Sequence, residues 1–489
     1  MLNPIKSLFG QTAIYGLGTV LPRLLNYILL TPFFTRVFRS GEYGIVTELY
    51  AYVVFLMILL TYGMETGYFR YASDKEHSGK VFSTSLLSLF TTSVLFIAAV
   101  TLWSEQIAGS IGYSEHPEYI RWIGIIVGID AFVSIPFARL RLEGKAVRFA
   151  LIKIASVAVN ISLNFLFLWV LPGSGPDEVP GIVDLIYRED IGVGYVFISN
   201  LVASVFTLVL LSGGIIRIKL KISVQIWKEM IAYSLPLLFS GLAGTINEAL
   251  DRVLLKHLLS GEMDPMAELG IYGANYKLAV LMTLFVQMFR YASEPFYFNR
   301  YKEKGSLDLF AAVMKYFIIA ALIIYMGVIL YLDIFKYFIG PEYHEGLKIV
   351  PVVLFANLML GIFFNLSIWY KLKNITKFAI LLTGGGAVIT FLVNWFFIPV
   401  YGYIASAWAH LICYSFMVSA SFLLGRKYLP VKYDLKRIVF YIAGCFVLLK
   451  FASMIEVGNT GYRLLINTGF LLVFVGYVSV KEGLIRKLR

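Results

Sequence analysis

Charge is what this sequence has least of. Only 15% of its 489 residues are Asp, Glu, Lys or Arg, and 59% are hydrophobic. Ordinary soluble domains carry roughly 25% charged residues, so a soluble chain is excluded and an integral membrane protein is expected. Cysteine is nearly absent as well. Cys413 and Cys445 both lie in apolar stretches, which indicates no disulfide framework and leaves the redox compartment open. The five histidines, His77, His116, His257, His344 and His410, are scattered without metal-ligand spacing, so no metal is expected. No Gly-x4-Gly-Lys-Ser/Thr phosphate loop is present, so ATP hydrolysis by this chain is excluded and no cofactor is expected. Long hydrophilic stretches are missing too. The longest outer loop covers residues 172–191, too short for the large external loop from which a membrane glycosyltransferase, polymerase or ligase would build its active site. An enzyme is therefore not expected. The net charge of +12 sits almost wholly in short loops between apolar runs, so it does not point to nucleic acid. The start of the chain does not read as a cleavable signal: one lysine precedes an apolar run too long for a signal core, with no small-residue cleavage site after it.

What is there is a series of long apolar runs. An apolar stretch of 18 or more residues reads as a membrane-spanning helix. Fourteen such spans are expected, at about 9–35, 43–68, 81–104, 119–138, 149–171, 192–213, 229–255, 269–293, 309–331, 349–370, 378–397, 402–424, 438–455 and 464–480. The basic residues orient them. Even-numbered connections and the two tails hold 27 Lys and Arg, the odd-numbered connections eight. Positive residues favour the cytoplasmic side, so both termini are expected there. The 172–191 loop, Gly/Pro-rich with Asp177, Glu178, Asp184, Glu189 and Asp190, suits a solvated outer position.

The sequence repeats internally. With Gly44 set on Gly273, an offset of 229, Tyr43 falls on Tyr272, Glu65 on Glu294, and Tyr68-Phe69 on Tyr297-Phe298. The same offset carries Arg148-Phe149-Ala150 onto Lys377-Phe378-Ala379. Gly192-Val193-Gly194-Tyr195 resembles Tyr401-Gly402-Tyr403 at the starts of the sixth and twelfth spans. The expected fold is all-α, with two six-helix lobes (1–220 and 221–428) related by a parallel pseudo-repeat, and two further C-terminal helices in 429–489. Six is even, so the two halves share one orientation in the membrane.

Charges inside spans are the informative residues. An arginine at membrane depth costs at least ~2.5–3.5 kcal/mol and should face protein or water. Arg23 lies mid-span, with Thr19, Val20, Asn26 and Tyr27 one turn away and no acid among them. Pro22 removes a backbone donor just before it, and Gly16 and Gly18 loosen the turn above. A bent helix carrying a deep cation reads as a site for an anion. Lys153 and Lys277 also have no acid one turn away in their own helices; Lys153, near the cytoplasmic end, could instead snorkel to the headgroups. Glu248 with Arg252, and Arg290 with Glu294, are spaced i, i+4 and can form intrahelical ion pairs. Asp251 then points to another face and would remain free. Asp130, mid-span, reads as a protonation or cation site or as a structural hydrogen-bonding group. Glu65 and Glu294, matched by the repeat, read as an inner gate or as helix caps.

These residues resemble a family. Tyr15-Gly16, Pro22-Arg23, Leu30-Thr31-Pro32 and Glu42-Tyr43-Gly44 look like the opening of bacterial polysaccharide transporters. This is the O-antigen and capsule flippase branch of the multidrug/oligosaccharidyl-lipid/polysaccharide exporter superfamily. Asp251-Arg252-Val253-Leu254-Leu255, followed by Leu269-Gly270-Ile271-Tyr272-Gly273-Ala274, resembles that branch's Asp-Arg…Gly-x-Tyr pattern. The similarity covers essentially the whole chain, including the count of six, six and two helices. It implies a cationic cavity between two lobes, alternating access, and an undecaprenyl-pyrophosphate-linked oligosaccharide moved across the bacterial inner membrane. Arg23, Arg252, Lys277 and Lys153 would line the cavity, and arginine's planar fork suits pyrophosphate. Asp130, Asp251, Glu248, Glu65, Glu294 and Arg290 would gate it or bind a coupling proton or sodium ion. Other polysaccharide-assembly proteins are the partners this implies. A multidrug exporter and a lipid II flippase of the same superfamily are the alternatives.

Overall fold

The computed structural model describes residues 18, 20–72, 78–173, 187–216, 221–259, 263–373, 375, 377–455 and 458–483. Every regular element among them is helical. No water reaches the bilayer core, so each backbone N–H and C=O there must be satisfied within its own segment, which apolar runs of this length achieve as helices. Twelve described helices are long and apolar enough to cross a membrane, with mean hydropathy of 1.3 to 2.3 over their best windows. A bent pair brings the number to 13 when counted as one span. The chain divides into two compact units, Met1–Thr245 and Ile246–Arg489.

The first unit begins with α1 (20–37), whose expected start at 9–17 lies outside the described residues. It contains a π-helical turn over Asn26–Leu30, then resumes as an α-helix over Thr31–Val37. α2 (Ser40–Tyr71) follows, then α3 (Ser78–Leu102), α4 (Pro117–Leu142), α5 (Ala146–Gly173), α6 (Gly194–Ile215) and the first part of α7 (Val224–Leu258). α5 carries a second π-helical turn, Leu166–Val170. α2 is broken where Tyr62 and Gly63 adopt left-handed backbone at φ 34° and 72°. A Cβ at position 63 would stand 2.9 Å from the carbonyl oxygen of Ser234, so glycine is required there twice over. The polar stripe of α3 faces the start of α7: Ser223 N–H donates to Thr84 Oγ1 (3.1 Å) and Trp227 Nε1–H to Ser88 Oγ (2.8 Å).

The second unit holds the rest of α7, then α8 (Pro265–Leu278) and α9 (Val280–Arg300). These two helices form the bent pair, at 50°, where the sequence pattern predicted one continuous span over 269–293. α10 (Ser306–Leu330), α11 (Pro341–Leu372), α12 (Lys377–Tyr401) and α13 (Tyr403–Tyr428) complete the repeat. Two further helices, α14 (Leu435–Met454) and α15 (Thr460–Lys481), pack on α10.

The pseudo-repeat is visible in side-chain contacts as well as in helix order. Tyr68 meets Phe82 edge-on at 6.1 Å, and Tyr297 meets Phe310 edge-on at 4.8 Å. Glu65 accepts from Arg141, and its counterpart Glu294 accepts from Lys371 at 2.5 Å. Asn164 donates to the Asn160 carbonyl and Asn394 to the Thr390 carbonyl, both one turn back.

Candidate functional site

In the first unit, α1 carries Arg23 on an exposed face, between buried Pro22 and the π-helical turn. A π turn holds one extra residue, which changes the face that the preceding residues present. The α1 π segment packs against α5, and Phe33 just beyond it lies 4.3 Å from Phe165 of α5. α5 also holds Lys153, whose ammonium sits 4.1 Å over the ring of Phe137. Lys153 is within electrostatic reach of Asp130, Arg141, Glu65 and Arg23. Asp130 lies in reach of Lys153 and of Ser204 on α6. Arg23, Lys153, Asp130 and Glu65 thus belong to one electrostatic neighbourhood.

The sequence pattern missed a buried carboxylate in this unit. Glu48 is fully buried on α2 and accepts from Tyr52 (3.2 Å) and Tyr113. The repeat offset of 229 sets Glu48 on Lys277 and Arg23 on Arg252, a signal that was readable in the sequence.

In the second unit, α7 presents Glu248, Asp251 and Arg252, and α8 presents Tyr272, Tyr276 and Lys277. The spacing of Glu248 and Arg252 allowed an ion pair, but among the described residues no such pair lies within 4 Å. The guanidinium instead sits 4.7 Å over the ring of Tyr276, where the negative face of the ring attracts it. Asp251 does not remain free, as its separate helix face had suggested. It is fully buried, and its Oδ2 accepts from the Tyr272 hydroxyl and contacts His410 Nε2 of α13 at 3.0 Å. A carboxylate at this depth demands donors, and they come from two other helices. Lys277 is exposed at the end of α8, just before the bend. Its one charged neighbour in electrostatic reach is Arg252, and among the described residues it has no acidic partner within 4 Å. Arg252 and Lys277 are thus within electrostatic reach of one another, and Arg252 is also in reach of Asp251 and Glu248.

Arg290 and Glu294 do pair, at 3.1 Å, but at a different place. There Arg290 stacks 4.5 Å over Phe364 and Glu294 also takes Lys371. Among the described residues no group of His, Cys, Asp and Glu is arranged to hold a metal ion.

Comparison with known proteins gives three findings. Residues 9–299 match the family profile described as "Polysaccharide biosynthesis protein". A search of curated proteins finds no match. Among solved structures, the lipid II flippase MurJ in an inward closed conformation aligns over 97% of this chain and 98% of its own, at 14% identity and a TM-score of 0.70. An inward-facing multidrug resistance transporter of the MATE family aligns over 85% and 94%, at 16% identity and a TM-score of 0.61. A transporter of the same MOP superfamily from Pyrococcus furiosus, described as having a binding pocket of reversed polarity, aligns over 87% and 96%, at 16% identity and a TM-score of 0.56. At 14–16% identity, these TM-scores establish a shared fold and nothing finer.

Proposed function

Because the chain belongs to the polysaccharide biosynthesis protein family and has the fold of MOP superfamily transporters, we propose that it is a flippase for lipid-linked oligosaccharide. Its substrate class is an undecaprenyl-pyrophosphate carrying an O-antigen, capsule or exopolysaccharide repeat unit. It acts in the bacterial inner membrane. The observation that supports this reading is Lys277, exposed at the end of α8 within electrostatic reach of Arg252 and with no acidic partner within 4 Å among the described residues. Arg23, exposed on α1 and set on Arg252 by the repeat, supplies the matching cation of the first unit. Pyrophosphate needs such groups because a charged headgroup meets a very large barrier in a medium of low dielectric constant, and fixed cations reduce it. Arg252 and Lys277 bind the pyrophosphate in the second unit; in the first, Arg23 is the equivalent anion-binding cation, and Lys153 and Asp130 tune the field around it. The polyprenyl tail stays in lipid. Glu65 with Arg141, and Glu294 with Lys371 and Arg290, act as paired latches that open and close with transport.

The test is headgroup movement in liposomes that contain the purified protein and a fluorescent undecaprenyl-pyrophosphate oligosaccharide. Protein-dependent exposure of the headgroup to an external quencher is expected, with the rate falling about 10-fold or more in Lys277→Ala and Arg252→Ala. That drop corresponds to about 1.4 kcal/mol or more per lost phosphate contact. Movement of lipid II but of no oligosaccharide-bearing analogue would give the lipid II reading the case. Export of a cationic dye with no headgroup movement would give it to a drug exporter.

A further inference from the structure

In the first unit a cavity of about 310 Å3 opens where α4 ends and α5 begins, against the end of α6. Its size falls in the ~300–1,000 Å3 range of small-molecule sites. Phe82, Leu140, Leu211 and Ile215 wall its apolar side, and Arg139, Glu143, Lys145 and Arg148 line the rest. Three cations therefore surround one carboxylate. Two of them hold it: Arg139 Nε lies 2.5 Å from Glu143 Oε1, and Lys145 Nζ lies 2.7 Å from Oε2. Arg139 also stands 4.5 Å over the Phe82 ring and donates from Nη1 to the Gly214 carbonyl at 3.3 Å, which covers one open carbonyl at the end of α6. Arg148 is exposed and has no acidic partner within 4 Å among the described residues.

The pseudo-repeat shows that the fold does not require this charged space. Two backbone bonds close α4, from the Glu143 N–H to the Arg139 carbonyl and from the Lys145 N–H to the Leu140 carbonyl. The same two bonds close α11, from the Lys373 N–H to the Trp369 carbonyl and from the Ile375 N–H to the Tyr370 carbonyl. Arg141 and Lys371, which bond the repeat-related Glu65 and Glu294, fall into the same match. At this turn the offset is thus one residue longer than the one that joins the two glutamates. Arg139 stands where Trp369 does, Glu143 where Lys373 does, and Lys145 where Ile375 does. In the second unit an indole fills the place. Trp369 is buried, stacks on Tyr428 at 5.2 Å and meets Phe378 at 5.0 Å, and a Cβ at Gly425 would stand 2.8 Å from its ring. In the first unit a guanidinium takes that position beside open space, and a Cβ at Gly213 or Gly214 would meet nothing within 4 Å.

We propose that this cavity binds the phosphate of an anionic phospholipid at the cytoplasmic surface of the membrane. The connection from α4 to α5 is one of those that the charge bias assigns to the cytoplasm, and it puts the cavity at headgroup level. Basic pockets between membrane helices on that side suit acidic headgroups. Arg148 brings the charge that Glu143 leaves uncompensated, and its planar fork matches phosphate oxygens. α5 begins at Ala146 without a side-chain cap, so its first N–H groups add positive potential at the same place. Acyl chains find a surface beside it, because Val147 and Leu151 on the first turns of α5 are exposed at 58% and 61%. That apolar face favours a lipid over a soluble phosphate. The site shares no residue with the groups assigned to the pyrophosphate or to the latches, so it stands whatever the protein transports.

The deciding experiment is native mass spectrometry of the full-length protein in detergent, with phosphatidylglycerol, phosphatidylcholine or glycerol phosphate added. Phosphatidylglycerol is expected to be retained in preference to phosphatidylcholine. Arg148→Gln and Lys145→Gln are each expected to weaken that retention roughly 5-fold. Gly213→Leu, which adds bulk to the cavity and removes no charge, is expected to weaken it as well. If the Leu variant does not fold, Arg148→Gln decides alone, since Arg148 is exposed and its loss leaves the packing intact. Retention of phosphatidylglycerol that is the same in the wild type and in both charge variants overturns the site. Phosphatidylcholine held as firmly as phosphatidylglycerol overturns the anionic headgroup as its ligand. Glycerol phosphate held as firmly as the lipid overturns the lipid and assigns the cavity to a soluble phosphate ester.

Discussion

Among single residues, Glu482 shows how a charge is held where lipid and protein leave little water. It follows the last turn of α15 and is nearly fully buried, with Lys315 of α10 as its ion-pair partner. Tyr441 of α14 donates to it at 2.6 Å and Arg437 lies at 3.4 Å. Burial alone would raise its pKa, but the bonds from Lys315 and Tyr441 and the charges of Lys315 and Arg437 outweigh burial and hold it below the usual glutamate range. A carboxylate with a depressed folded pKa stabilises the fold fully above the unfolded value of about 4.3, and that contribution disappears as pH falls through the lower folded value. Removing one partner of a buried pair leaves the other charge uncompensated, at about 3–5 kcal/mol. Lys315→Met is therefore expected to destabilise the protein by about 3 kcal/mol at pH 7, since Tyr441 and Arg437 remain. The loss should shrink below about pH 4, as Glu482 becomes neutral. Thermal unfolding in detergent at both pH values checks it. The half-exposed pair of Glu294 and Lys371 stands in contrast, because a pair with that much water contributes about 1 kcal/mol or less.

At the scale of elements, the breaks in helices carry more meaning than the helices. Gly63→Ala forces a side chain into left-handed backbone and toward the Ser234 carbonyl at 2.9 Å, with an expected cost of about 2 kcal/mol. Gly476→Ala on α15 meets nothing within 4 Å and is expected to be neutral or to stabilise by up to about 1 kcal/mol. The two melting temperatures, measured side by side, separate a required glycine from an incidental one. Legibility in the sequence follows the same division. Apolar length is a local property, so the spans could be read off, and the repeat could be read because Glu65, Tyr68 and their counterparts recur at one offset. The bend between α8 and α9 could not. It falls at Ala279, a strong helix former between Leu278 and Val280, with no glycine or proline to announce it. Leu278 and Ala279 are both essentially fully buried there, so packing imposes a break that propensity opposes. The partners of Asp251 were hidden for a related reason. Tyr272 lies 21 residues away and His410 lies 159 away, and no spacing rule joins them.

For the whole molecule, orientation follows from charge more than from packing. The basic residues are biased 27 to eight toward even-numbered connections and tails, and the connection Arg300–Ser306 with Arg300, Lys302 and Lys304 is typical of the rich side. Crossing residues to the outer side costs energy per basic residue in a short loop, so the bias predicts one orientation, with both termini in the cytoplasm. The bent pair bears on this: if α8 and α9 turned back instead of crossing as one span, every later loop would change sides. Two variants, each with one added cysteine, test which side the later loops occupy, and the native thiols do not interfere because Cys413 and Cys445 are fully buried. Glu303→Cys and Gly458→Cys stand in exposed loops on opposite sides of the expected arrangement. In spheroplasts, a membrane-impermeant maleimide is expected to label position 458 at once and position 303 only after the membrane is permeabilised. Immediate labelling of 303 with protection of 458 would invert the topology, and immediate labelling of both would show that the number of crossings between them is even.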